Sequence, residues 1–346
     1  MVGLVPAIHG LDSRPGNYCR PPQRLSKLPA GTTRCAPSIA AAAALASLCG
    51  AGFGFAAGCQ ETPWFILMLP YIEQGPLYSA FNASIGIEGP SFLGYSVNST
   101  LLTTKISSFQ CPSDNEQVLS FAALSAATGG FVPAFPWSAT KGTYGVNWGT
   151  ADYGQGVAGG FFTRNLYLPS PFGINANATG PATIRIASVT DGTSNTHFVS
   201  EILQGAADDI RGTIWNDHPG AGSYMTRFAP NGYQDYVAAY QPWAAAIGSL
   251  AGNTMDNLAT FAGSGPGTSP PSPGALCDSQ PAQGLACYNQ SNTGGEFNGS
   301  RSRHPGGVNS LFGDGSVHFM KNSINAMTWV QLGSIIGGEV ISADSY

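Results

Sequence analysis

Charge is what this sequence has least of. Only 10% of its 346 residues are Asp, Glu, Lys or Arg, against about a quarter in an average soluble domain. With 14 basic residues and a net charge of −5, no phosphate-tracking basic face can be assembled, which excludes nucleic acid as a partner. No block of like charges marks a tail or a membrane-surface helix. The familiar catalytic and metal patterns are missing as well. There is no C-x-x-C pair, no H-E-x-x-H and no G-x-S-x-G, so zinc-ribbon, thioredoxin-like, zincin and nucleophile-elbow readings have nothing to rest on. The five histidines (His9, His197, His218, His304, His318) are dispersed. No glycine loop leads into a helix to cradle phosphate, and no repeat of solenoid or propeller period is present.

The polar share that Lys and Glu give up goes to Gly (46), Pro (25), Ser, Thr and Asn. These residues favour turns and strands over helices, because Gly and Pro break helices and the others bond their own backbone. The expectation is a loop-rich, β-rich α+β protein of extracellular character. Seven cysteines (Cys19, Cys35, Cys49, Cys59, Cys111, Cys277, Cys287) leave at least one thiol unpaired in a monomer. Cys277 and Cys287 flank a Pro/Gly/Gln-rich stretch, and a disulfide closing that loop is expected if the chain is exported.

Residues 1–60 differ from the rest and read as an atypical, poorly ordered leader. Within them 38–58 is uncharged and long enough to span a bilayer, yet consists mostly of Ala and Gly. Residues 61–346 read as one β-rich head interrupted by a Gly/Pro/Ser-rich insertion at 261–290. A continuous apolar run starts at Trp64, and Pro70 permits a helix start, although Gly75 and Pro76 weaken a helix there. Residues 101–109 and 143–148 read as strands, 182–189 alternates like one, and 197–203 reads as a strand or short helix. Residues 154–160 read as a Gly-rich loop. Near the C-terminus, 307–312 and 316–320 flank Gly313-Asp314-Gly315. Asp-Gly between alternating runs predicts a hairpin with a type I′ turn, positive φ at both central residues. Residues 324–336 predict a short amphipathic helix.

These residues resemble a known family. Arg303-His304-Pro305-Gly306-Gly307-Val308-Asn309 followed by Phe312-Gly313-Asp314-Gly315 places nine residues between His304 and Asp314-Gly315. That spacing is similar to the C-terminal signature of prepilin-type proteins with an H-x9-DG domain, a family of unknown function abundant in planctomycete bacteria. Four further blocks fit in order: Leu69-Pro70-Tyr71-Ile72-Glu73-Gln74 with Leu77-Tyr78; Phe109-Gln110-Cys111-Pro112-Ser113-Asp114; Ile186-Ala187-Ser188-Val189-Thr190-Asp191-Gly192-Thr193-Ser194-Asn195-Thr196 with Glu201; and Gly337-Gly338-Glu339-Val340. The resemblance implies a pilin-like globular head with an antiparallel sheet and a C-terminal β-hairpin. The usual N-terminal pilin helix is missing or unrecognisable here, since no Gly-Phe-Thr-Leu-Ile-Glu-like cleavage site and no Leu/Ile/Val-rich helix of that kind occur. It further implies a non-enzymatic structural or assembly protein of the pseudopilin kind, in the cell envelope or outside the cell. Its partners would be copies of itself or pilus and secretion-apparatus subunits, with membrane contact only through such a helix. The alternative is a secreted carbohydrate- or ligand-binding β module using exposed Trp or Tyr; a hydrolase ranks third.

Two candidate sites remain. His304 and Asp314 could form an acid/base pair, but Asp314 in a hairpin turn and His304 bonding a neighbouring loop explain both as structural, with Gly315 completing the turn. Asp191, Thr193, Asn195 and Glu201 offer hard oxygens in a short stretch, a candidate calcium loop of the sort some pseudopilins use. Asx-turn capping explains the same residues. No catalytic residue is assigned.

Overall fold

The computed structural model describes residues 63–341 other than 84, 88–91, 131, 150–168, 173–175, 178–179, 182–183, 217–220, 233–234, 240–276, 278–279, 286, 292–297 and 339–340. The leader, the Gly-rich loop at 154–160 and most of the insertion at 261–290 lie outside the described residues.

Pro63 caps the first helix, α1 (Trp64–Met68), whose apolar run buries Phe65, Ile66 and Met68. A 3-10 turn, Leu69–Ile72, ends at Glu73 in the left-handed conformation, φ 62°. A second helix, α2 (Gly75–Ala80), restarts with Pro in its first turn. There the missing proline N–H removes a donor that would have had no helical partner anyway. Gly75 and Pro76 therefore divide the segment into two short helices and do not abolish it.

Residues 101–109 are not the strand that their Thr and Ile content predicts. After α3 (Leu93–Val97), α4 (Ser99–Thr103) and a 3-10 turn at Ser107–Phe109 occupy this stretch. The hydroxyls of Thr103 and Thr104 bond back to the carbonyls of Ser99 and Thr100 at 2.9 and 2.6 Å, while Leu101 and Leu102 are buried. Packing of the leucine pair outweighs the β preference of the threonines. The alternation at 182–189 also misleads, since Ile186–Ser188 is a 3-10 turn in which Ser188 Oγ accepts from the Arg185 amide.

β1 (Val118–Ser120) pairs with β2 (Ser138–Thr140), and α5 (Phe121–Ala127) starts from the Ser120 side-chain cap. The principal sheet contains β3 (Tyr144–Gly149), β6 (His197–Glu201), β7 (Ser223–Met225), β10 (Gly307–Phe312) and β11 (Val317–Lys321) in the order β11-β10-β6-β3-β7. Pairing is antiparallel from β11 to β3, and β7 joins in parallel. Two small ladders complete the described strands: β4 (Ala176–Asn177) with β5 (Gly180–Pro181), and β8 (Asp235–Ala239) in parallel with β9 (Cys287–Ser291). The architecture is α+β.

Both faces of the sheet are covered. Leu311 joins a cluster with Phe65, Leu102, Phe121, Val146, Phe198 and Trp215. Its strand neighbours Val308 and Phe312, of opposite parity, join Met320, Tyr224, Trp329 and Leu332. The last two come from α6 (Ala326–Leu332), which Asn325 caps by accepting from the amides of Met327 and Thr328. Enclosure on both sides explains why every residue of β3 and β6 is buried.

The hairpin between β10 and β11 forms, with a different turn from the predicted type I′. Phe312 and Ser316 close it, the Phe312 amide donating to the Ser316 carbonyl at 2.8 Å and Gly315 N–H to the Phe312 carbonyl at 3.0 Å. Gly315 has φ 94°, whereas Asp314 is not among the residues of positive φ. This is a three-residue loop in which one left-handed glycine supplies the twist. Asp314 contributes through its side chain: Oδ1 accepts from the amide and hydroxyl of Ser316 at 2.9 and 2.7 Å. Among the described residues no helix is long and apolar enough to cross a membrane.

Candidate functional site

Three segments far apart in sequence meet at one end of β6. Glu201 is the last residue of that strand. Cys111 follows the 3-10 turn at Ser107–Phe109 and is held by Thr143, whose Oγ1 accepts from the Cys111 amide at 2.6 Å while its own amide donates to the Phe109 carbonyl at 2.9 Å. His304 precedes β10 in a turn that needs Gly306 at φ 87°. Ser302 closes that turn, its Oγ accepting from the His304 amide at 3.1 Å and donating to the Gly307 carbonyl at 2.7 Å.

The three side chains converge. His304 Nε2 lies 3.1 Å from Glu201 Oε1 and 3.6 Å from Cys111 Sγ. One ligand atom from each residue lies within 4.8 Å of the other two. Cys111 and Glu201 are buried, whereas the His304 side chain keeps 28% of its surface exposed. The backbone amide of Asn309 fixes the far carboxylate oxygen of Glu201 at 2.8 Å. Burial pushes the Cys111 thiol up, and the neighbouring Glu201 adds to the shift. Tyr144, opposite Glu201 on β3, is pushed up to about 12 by burial and then by the charges of Cys111 and Glu201. Thiol, imidazole and carboxylate are the donor set of a borderline or soft divalent cation.

A clamp of polar contacts surrounds this point. Asp114 accepts from Arg303 Nε on one oxygen and from the Gln204 amide on the other, at 2.8 and 3.0 Å. Gln204 Nε2 donates to Gln110 Oε1 at 2.6 Å. Deeper in, Asp235 takes both Arg211 (3.0 Å) and Arg301 (2.9 Å), and Arg211 also pairs with Asp209 at 2.6 Å, all with side chains at most 5% exposed. Lys141 points its ammonium at the carbonyls of Gly205, Ala206 and Asp209; burial lowers it to about 7, against the pull of Asp209.

His304 and Asp314 sit at opposite ends of β10, so the acid/base pair does not form. The four residues of the calcium reading do not meet as a set. Asp191 gives its two carboxylate oxygens to the amides of Gly337 and Gly338, each at 2.7 Å. The Asn195 side chain donates to the Asp191 carbonyl, and the Thr193 carbonyl accepts from the Asp314 amide at the hairpin turn. Glu201 lies at the far end of β6, with Cys111 and His304. Cys277 and Cys287 form a disulfide, Cα atoms 6.5 Å apart.

Sequence reasoning missed Cys111 as a partner of His304, and it missed the buried charges altogether. A signal was present for the first: Cys111, Glu201 and His304 each lie in a separate block of the family resemblance. Such blocks meeting in space is what joint use of their residues would produce.

No curated protein and no solved structure matches this chain. The model of a protein family of unknown function, DUF1559, matches residues 23–327, and the chain belongs to that family.

Proposed function

We propose that the chain is a non-enzymatic structural or assembly protein of the pseudopilin-like kind, displayed in the cell envelope or outside the cell. The observation that carries this reading is how the signature residues are used. Asp314 and Gly315 shape the hairpin turn, Asp191 fastens the segment at 337–338, and Asp114 fastens Arg303. Each of these four supports the framework, while His304, the other signature residue, meets Cys111 and Glu201. The disulfide between Cys277 and Cys287 supports an oxidising location. Among the described residues, Trp148, Trp215 and Trp329 are buried and Trp64 and Trp137 pack against the core, so these five offer no exposed stacking platform for the sugar-binding alternative.

The test is fractionation and negative-stain microscopy of a bacterium expressing the epitope-tagged full-length gene. The reading expects the protein in the envelope or medium, in filaments or higher assemblies. A monomer confined to the cytosol with all its cysteines reduced would refute it.

A further inference from the structure

The geometry points to a metal site: Cys111, Glu201 and His304 bind one divalent cation of the zinc class. This goes beyond the structural role proposed above and does not depend on it.

Three features argue for it. The first is where the side chains aim. In a nucleophile–base–acid relay the carboxylate and the nucleophile take opposite ring nitrogens, so that the ring passes a proton between them. Here Glu201 Oε1 and Cys111 Sγ both face Nε2 of His304. A carboxylate and a thiol gathered on one ring nitrogen suit a shared cation and make a poor relay.

The second is spacing. Zinc–sulfur bonds of about 2.3 Å and zinc–nitrogen or zinc–oxygen bonds of about 2.0–2.1 Å, at tetrahedral angles, set sulfur–nitrogen edges near ~3.5 Å and nitrogen–oxygen edges near ~3.3 Å. The corresponding separations are 3.6 and 3.1 Å. Two of the three edges thus match a cation's coordination shell, and the third, between Cys111 and Glu201, lies within 4.8 Å and would close as the ion binds.

The third is support from outside. Glu201 is oriented by the Asn309 amide at 2.8 Å and by the Asn309 side chain at 3.3 Å. The Cys111 backbone is fixed by Thr143 at 2.6 Å, and Arg303, next to His304, is held by Asp114 at 2.8 Å. Outer contacts of this sort hold ligand side chains in the binding geometry. Charge also balances: a thiolate and a carboxylate neutralise a divalent cation, with the thiol proton released to solvent on binding. A thiolate and an imidazole in the set select against calcium and magnesium, which take oxygen. His304 is partly exposed, and water or another donor would serve as the fourth ligand.

The probe is cobalt(II), added under anaerobic conditions to the purified full chain with its disulfide intact, followed by zinc. One equivalent of cobalt should produce a near-ultraviolet thiolate-to-cobalt charge-transfer band and visible bands of four-coordinate geometry, and zinc should displace it. Cys111→Ser should abolish the charge-transfer band. His304→Gln, at a partly exposed position, should weaken cobalt binding by about tenfold or more. A folded wild-type protein without the band overturns the inference, as does a band that survives Cys111→Ser. If Cys111→Ser fails to fold, the wild-type titration and His304→Gln decide: unchanged affinity in the latter overturns it. Envelope display and metal binding are read by different experiments, so either can fail alone.

Discussion

Arg303 donates from Nε to Oδ1 of Asp114 at 2.8 Å, joining positions 189 residues apart in the chain. Arg303 is the neighbour of His304, and Asp114 lies three residues beyond Cys111, so this one pair keeps two chain segments of the candidate site side by side. Asp114 is almost fully buried and Arg303 is about a quarter exposed. Asp114→Asn should cost about 1–3 kcal/mol, the range for a hydrogen bond to a charged group whose partner is left behind. Urea unfolding measures it; a midpoint equal to wild type would contradict the clamp.

Asp235 answers two guanidinium groups, those of Arg211 and Arg301, with no solvent to share the load. Asp235→Ala removes from the interior the carboxylate that Arg211 and Arg301 share, leaving Arg211 its pair with Asp209. The expected loss is about 3–5 kcal/mol, as for breaking a buried pair from one side. Thermal unfolding of the variant should show either a much lower midpoint or no cooperative transition.

His197 is sealed between Tyr224 and Trp329, its ring 4.5 Å from the Trp329 ring. Burial lowers it to about 3. Below its ordinary value of about 6.5, the unfolded chain binds a proton that the folded chain refuses, so this contribution to stability falls as pH drops through that value. Between pH 6.5 and 5, above the range of most carboxylates, the loss should be about 1–2 kcal/mol. His197→Gln should flatten the slope in that window even if it lowers stability at every pH; an unchanged slope would contradict the assignment.

Gly315 adopts φ 94° in the hairpin loop. Gly315→Val forces a β-branched residue into that region, at an expected cost of about 1–3 kcal/mol. Gly315→Asn, which tolerates left-handed backbone, should cost less. Equal melting temperatures for all three proteins would refute the turn geometry.

The parts of the fold legible in the sequence were those decided locally. The hairpin at 307–321, β3 and the helix around Trp329 announce themselves through alternation, turn residues and amphipathic spacing, whereas 197–203 reads equally as strand or short helix. Residues 101–109 did not, because the burial of Leu101 and Leu102 against distant side chains overrode the β preference of Thr and Ile. The type I′ turn was a wrong inference from Asp-Gly, since three loop residues let Asp314 act through its carboxylate and leave only Gly315 left-handed. The candidate site was half legible. His304 stood out by its motif, but Glu201 was grouped with Asp191 because they are near in sequence, and strand β6 carries them apart. Asp209, Arg211, Asp235 and Arg301 gave no pattern, since their pairing exists only after the loops that bear them have closed. In a chain this poor in charge, each remaining charged residue was itself a reason to look for an internal partner.

The placement of β10 has a consequence for synthesis. It lies between β11 and β6 in the sheet yet leaves the ribosome well after β3, β6 and β7, the strands on its inner side. Until it arrives, β6 has an unsatisfied edge and Glu201 lacks the Asn309 amide. The sheet therefore cannot close before residues 307–312 are made, and a chain cut before residue 307 would expose a strand open to pairing with its neighbours. Final assembly of the sheet waits on the segment that carries β10 and β11.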